Sequence, residues 1–179
     1  SLPLPSSGSS YPSSVAPGID AQATKKQYEQ QLAEWRKQPT ARTTTGKVIP
    51  LIKPELSPSG IIYSQKPDPY LTSLIDRAVL QNLQNSEARS VIIPASEALN
   101  SPVVQQILKQ RGIDPSDVQG LEIQISPRPD HVYFSTSLLY QPPGKRWPVA
   151  VAFAWGNFVP ASNPTGASGA GSGQSGSGQ

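Results

Sequence analysis

Apolar side chains recur first with the spacing of helices and, in the last third of the chain, with the alternation of strands. The residues from Ala21 to Gln38 are strong helix formers, and Tyr28, Leu32 and Trp35 recur at i, i+4 and i+7 along one narrow stripe. Asp20 is a suitable N-cap for this helix. Because so narrow a stripe does not stabilise a helix alone, we expect the helix to dock on the domain or on a partner.

The segment from Thr40 to Lys66 is predicted to be extended and is repeatedly broken by proline. Its short apolar runs are Val48, Ile49, Leu51 and Ile52, followed by Ile61, Ile62 and Tyr63. Proline cannot donate a hydrogen bond to a sheet and therefore confines such strands to edges or bulges. We interpret this segment as an arm laid along the domain, and we expect it to bind a neighbouring chain by extended-strand contacts.

Two further helices are predicted between residues 67 and 112. The first is capped by Asp68 and runs to about Asn85, with an apolar face toward the core. The second opens at Ser101 and ends at Gly112, a residue type that suits the left-handed conformation after a helix. Between them, the run from Val91 to Ile93 indicates a short buried strand.

The last third of the ordered sequence alternates with the two-residue period of strands. The inward positions in the first two of these strands are Leu121, Ile123, Ile125, Val132, Phe134, Thr136 and Leu138. In the last strand we expect Val149, Val151, Phe153 and Trp155 on one face and Ala150, Ala152 and Ala154 on the other. The fold class that follows is α+β, with two to three helices on a mostly antiparallel sheet that ends in a C-terminal β-meander.

Composition divides the chain into four segments. Residues 1–20 are a flexible lead rich in serine and proline, and residues 161–179 are a disordered Gly/Ser/Gln-rich tail. Between them, residues 21–66 hold the basic helix and the proline-rich arm, and residues 67–160 hold the compact α+β domain. The tails contain too little apolar surface to offset the entropy lost on ordering.

The inventory of reactive side chains favours a protein without catalytic function. Cysteine is absent and His131 is the one histidine, so cysteine zinc sites and histidine-rich catalytic zinc sites are not expected. We expect His131 to be an ordinary surface residue, because neighbours on a strand, such as Asp130, point to opposite faces. We therefore predict no enzyme, catalytic residue, metal, cofactor or small-molecule substrate. A two-carboxylate site assembled from the 12 acidic residues stays open as an alternative.

Positive charge is concentrated in the helix and arm. Residues 21–66 contain eight Lys/Arg against three Glu, a net charge of +5 within a chain total of +3. Such a segment can bind an anionic polymer or an anionic membrane surface, although diffuse charge also serves solubility. The candidate residues for binding nucleic acid or anionic glycan are Lys25, Lys26, Arg36, Lys37, Arg42 and Lys47.

Together these patterns predict a non-enzymatic assembly or adaptor domain whose partners are other protein subunits. The candidate partner-binding residues are Tyr28, Leu32, Trp35, Val48, Ile49, Leu51 and Ile52. The chain begins at Ser1 and lacks methionine, which favours cleavage or truncation of a longer product. We expect an exported or membrane-anchored protein of a periplasmic or extracellular complex; the polyanion-binding module is the alternative.

Overall fold

The computed structural model describes residues 15–65, 67–83 and 89–161. In chain order the elements are α1 (Ala21–Lys37), β1 (Thr40–Arg42), β2 (Val48–Pro50), β3 (Glu55–Leu56), β4 (Ile62–Tyr63), α2 (Pro69–Gln81), β5 (Arg89–Pro94), α3 (Ala95–Ala98), α4 (Pro102–Arg111), β6 (Val118–Pro127), β7 (Val132–Tyr140) and β8 (Val149–Phe158). A single 3-10 turn, Pro115–Asp117, precedes β6.

A six-stranded antiparallel sheet with the strand order β3-β4-β8-β7-β6-β5 forms the centre of the fold. Its last three strands in sequence form the predicted meander, and the α+β class is confirmed. The strands β1 and β2 form a separate antiparallel hairpin. The predicted elements lie close to the observed ones because their punctuation by caps, prolines and glycines is strong. The expected burial of Val91–Ile93 is wrong at Ile92, because β5 is an edge strand on which this side chain is 51% exposed.

One face of the sheet, which we call the inner face, carries the core together with α2 and α4. The helices contribute Leu71, Ile75 and Val104 among other fully buried side chains. From the sheet, the rings of Tyr63 and Phe134 meet edge to face with their centroids 5.8 Å apart. An aromatic pair in this geometry is favourable beyond the area it buries.

One carboxylate caps both helices of the inner face. Asp68 Oδ1 accepts the backbone N–H of Leu71 at 2.8 Å, and Oδ2 accepts the N–H of Val103 at 3.2 Å and the hydroxyl of Ser101. Ser101 in turn accepts the N–H of Val104 at 3.2 Å. Burial by itself would raise the pKa of Asp68, but the hydrogen bonds from Ser101 and from backbone N–H groups outweigh it and lower the pKa. The first turns of α2 and α4 are thereby joined.

The predicted arm is partly a component of the sheet. Its second apolar run forms β4, which pairs with β8, and Ile61, Ile62 and Tyr63 are fully buried. The hydrogen-bonded sheet and the core therefore include residues on the N-terminal side of residue 66. The predicted boundary between the arm and the compact domain at residue 66 is therefore wrong for this run, because β4 pairs with both β3 and β8 inside the sheet.

The predicted faces of the last strand are also corrected. Thr136 pairs with Ala154 and the next residue, Ser137, pairs with Ala152, so Phe153 is an extra residue that forms a β-bulge. Beyond it the alternation changes phase, and Trp155 lies on the outer face rather than with Val151. The bulge places Gly156 opposite Phe134, whose ring would come within 2.3 Å of a Cβ at that position.

We expect Asp68→Asn to destabilise the domain by about 1–2 kcal/mol, because one of the caps is weakened at each of two helices. The carboxylate stabilises above its unfolded pKa, and this contribution is lost as the pH falls through its lowered folded pKa. Urea unfolding at neutral and acidic pH measures both effects. Asp114→Asn is the matched control, since Asp114 caps the single turn at Ser116. Equal losses in both variants would contradict the joint cap.

Candidate functional site

Helix α1 docks on the outer face through polar side chains. Thr24 is fully buried, and its hydroxyl accepts the backbone N–H of Val159 at 2.9 Å. The side-chain amides of Gln27 and Gln31 donate to the buried Asn157 Oδ1 at 2.6 and 3.0 Å. The expectation that α1 docks on the domain is met by this polar stripe, which the sequence analysis missed. The sequence feature that marks this polar stripe is the i, i+3, i+7 spacing of Thr24, Gln27 and Gln31.

The predicted apolar stripe of α1 is half-buried along Tyr28, Leu32 and Trp35. Trp35 has a defined role, since its indole N–H donates to the carbonyl oxygen of Leu51 at 3.0 Å. The Lys53 ammonium lies 5.9 Å from the centroid of the same ring, a cation–π arrangement. Trp35 therefore ties the segment after β2 to the end of α1.

A groove of about 460 Å³ opens where this segment passes the sheet. Its lining includes Gln31, Trp35, Leu51, Ile52, Pro54 and Trp155. We call it the Trp35–Trp155 groove. Trp155 reaches it because the bulge in β8 turns this side chain to the outer face. The structure thus brings three of the predicted partner-binding residues (Trp35, Leu51 and Ile52) to one open concave surface, whereas Tyr28 and Leu32 are not part of its lining.

Exposed apolar surface is concentrated beside this groove. Within the described ranges, eight large apolar side chains are exposed, and four of them lie in the five residues from Val48 to Ile52. Val48 is 51% exposed and Ile52 is 55% exposed. Scattered single apolar residues are normal on a surface, whereas a contiguous group next to a groove is typical of an interaction site. The hairpin β1–β2 and the groove therefore form one candidate docking surface.

The structure divides the predicted polyanion-binding residues. All six side chains are exposed, but Lys25 and Lys26 lie at the other end of α1 from Arg36 and Lys37, about 15 Å along the helix axis. The remaining two, Arg42 and Lys47, flank the turn of the hairpin. Four of the six cations thus lie on the end of α1 and on the hairpin that carry the candidate docking surface, and two do not.

A half-buried carboxylate, Asp76 of α2, lies on the inner face. Asp76 accepts hydrogen bonds from the hydroxyls of Ser59 and Tyr63. Burial raises the pKa of Asp76, although these two hydrogen bonds act in the opposite direction. Burial and the nearby Asp76 carboxylate also raise the pKa of Tyr63. The arrangement anchors the turn before β4 to α2.

The side chains of Asp130 and His131 were expected to point to opposite faces of a strand, but they are in contact. Asp130 Oδ1 and His131 Nδ1 are 2.7 Å apart, because both residues lie in the turn before β7 rather than on a strand. The hydrogen bond from His131 lowers the pKa of Asp130.

Among the described residues, no group of three or more His, Cys, Asp or Glu side chains could hold a metal ion. In the same ranges no helix has the length and apolar character needed to span a membrane. Lys66 and Asn85, at which the predicted arm and the second predicted helix end, lie outside the described residues.

Comparison of the chain with protein-family models, with curated proteins and with solved structures gives no match. The candidate site is therefore defined by its own geometry.

We expect Asn157→Ala to release α1 from the sheet, because it removes the acceptor shared by Gln27 and Gln31. Hydrogen exchange of the α1 amides should accelerate about tenfold, while exchange in β7 stays slow. Gln105→Ala, which removes a side-chain hydrogen bond at the start of α4, is the control. Unchanged exchange in α1 would show that Thr24 and the apolar stripe hold the helix without Asn157.

We expect Asp76→Asn to change how stability depends on pH. Because the folded pKa of Asp76 is raised, the wild-type contribution at this site falls as the pH rises from the unfolded pKa through the folded one. The stability of the variant relative to wild type should therefore increase between pH 4 and pH 7 in urea unfolding. Asp114→Asn should show little change in this range and the opposite sign below about pH 4, since hydrogen bonds from Ser116 lower the pKa of Asp114.

Proposed function

We propose that this protein is a non-enzymatic assembly or adaptor domain that binds another protein subunit through the Trp35–Trp155 groove and the adjacent hairpin. The observation that carries the proposal is the concentration of exposed apolar side chains at Val48–Ile52 beside an open groove containing two tryptophans. Tryptophan in a groove is the residue type most often found at the energetic centre of protein interfaces.

The surface fits a partner segment that is apolar at its centre and acidic at its margins. Covering Val48, Ile49, Leu51 and Ile52 would remove apolar area from water, and each such side chain contributes about 1.5–3 kcal/mol when fully buried. The exposed cations Arg42 and Lys47 lie on the same hairpin. Charges at the rim of an interface favour the complementary partner and speed its association.

The segment that carries these residues is short, pairs with β1 from Val48 to Pro50 and is tied down at Leu51. Leu51 N–H donates to the carbonyl of Pro39 at 2.8 Å, and the indole of Trp35 holds the carbonyl of Leu51. A binding surface that is already ordered loses less conformational entropy when a partner binds.

The test places a photo-crosslinking amino acid at Ile52 in the full chain, expressed in source cells. Ile52 is 55% exposed, and Ile92 on β5 is a matched control at 51%. We expect one dominant protein adduct from position 52 and none from position 92. Leu51→Asp should remove the adduct while the unfolding temperature stays within a few degrees of wild type. Equal cross-linking from both positions, or from neither, would contradict the proposal.

The second candidate function is polyanion binding, which the grouping of Arg36, Lys37, Arg42 and Lys47 around the hairpin favours. Binding of single-stranded nucleic acid or heparin should then weaken steeply with salt. Replacing Arg42 and Lys47 with glutamine should reduce the slope, whereas the same change at the distant Lys25 and Lys26 should not. Equal slopes in both double variants would remove this candidate.

A further inference from the structure

The strand β8 has an uncovered edge. On the side away from β7, β4 pairs with Asn157 and Gly156, and the N–H of Ser64 donates to the carbonyl of Trp155 at 3.0 Å. Toward its N-terminal end, no strand in the described part of the chain lies beside residues 149–154. Phe153 and Ala154 are buried, whereas Val149, Ala150 and Ala152 are exposed, so the part of this edge where another extended chain can pair is Val149–Ala152.

The regular part of this edge lacks charge and proline, two of the features that usually block strand addition, whereas the bulge at Phe153, a third such feature, ends it. The sheet edge at β5 begins with Arg89 and ends with Pro94, and the short edge strand β3 follows Pro54 and carries Glu55. Residues 149–154 read VAVAFA, without charge or proline. Charges and prolines are the usual protection of edge strands. The bulge at Phe153 limits the regular part of the edge to Val149–Ala152, which spans about 13 Å.

A groove of about 350 Å³ runs between this edge and α4. Val151, Ala152 and Phe153 line it on the sheet side, and Gln106, Gln110 and Arg111 line it on the helix side. A groove between an edge strand and a helix accepts an extended peptide, whose backbone pairs with the strand while alternate side chains enter the groove. The cation of Arg111 adds a preference for a carboxylate.

We propose that this edge binds an extended, acidic segment of a partner protein as an added β-strand. A second copy of β8 fits less well, because the sequence of β8 contains no carboxylate and would bring a second Arg111 toward the first. The inferred segment has about four residues in the strand conformation, alternate apolar side chains and one Asp or Glu facing Arg111. This surface is separate from the Trp35–Trp155 groove.

The probe is a library of random 12-residue linear peptides displayed on phage and selected on the full chain. We expect enriched sequences that alternate apolar residues and carry an acid. Hydrogen exchange should show new protection at Val149 to Ala152 when the synthetic peptide binds. Arg111→Glu should weaken binding roughly fivefold or more, whereas Arg111→Lys should retain most of it.

Two further variants separate this inference from other outcomes. Lys109→Glu makes the same charge change in the last turn of α4 but away from this groove, so it should leave peptide binding unchanged. Ile52→Asp should also have no effect on peptide binding, whatever it does to the docking surface of the proposed function. The inference is overturned by a library without enriched sequences, by equal effects of the two glutamate variants, or by a free chain that sediments as a dimer.

Discussion

The β-bulge at Phe153 is the constraint on which the arrangement of both faces depends. An unbroken strand would place Trp155 and Asn157 on the same face as Val151, so that a polar amide would enter the core and Phe158 would leave it. One extra residue opposite Thr136 and Ser137 reverses this beyond the bulge. Phe158 is fully buried as a result. Asn157 and Trp155 instead lie on the outer face, where one anchors α1 and the other borders the groove.

Directional polar contacts position the helices on this sheet. Asp68 joins the first turns of α2 and α4, Asp76 anchors the turn before β4, and Asn157 holds α1. Each contact satisfies a buried polar group, and losing one partner costs more than forming the bond contributes. Because α1 is held by its polar stripe, the apolar ring of Trp35 remains available at the groove.

Both proposed binding surfaces follow from how little of the chain covers the β4 side of the sheet. The strand β4 is two residues long, so it pairs with only the end of β8 and leaves the remainder of that edge open. The hairpin β1–β2 does not join the sheet, and its apolar residues face solvent. Proline explains both features, since Pro50, Pro54 and Pro67 interrupt the segments that would otherwise extend these strands.

The sequence by itself determined the local elements. The helices are capped at the expected residues, which are Asp20, Asp68 and Ser101. Gly112 ends α4 in the left-handed conformation. In β6 and β7, the alternation of apolar and polar residues indicates which face of the strand is buried. These features depend on neighbours within a few residues, so local chemistry specifies them. The apolar run that contains the exposed Leu51 and Ile52 was also visible in the sequence, since it lies between prolines.

Only the tertiary structure decided the pairing of β4 with β8, the bulge, and the polar docking of Thr24 and Gln27. Each depends on groups far apart in the chain: Gln27 and Asn157 are 130 positions apart. Two-residue strands carry too few side chains to show a period, and a bulge changes the phase of an alternation without changing its composition. Long-range pairing selects among local possibilities that the amino-acid sequence leaves nearly equal in free energy.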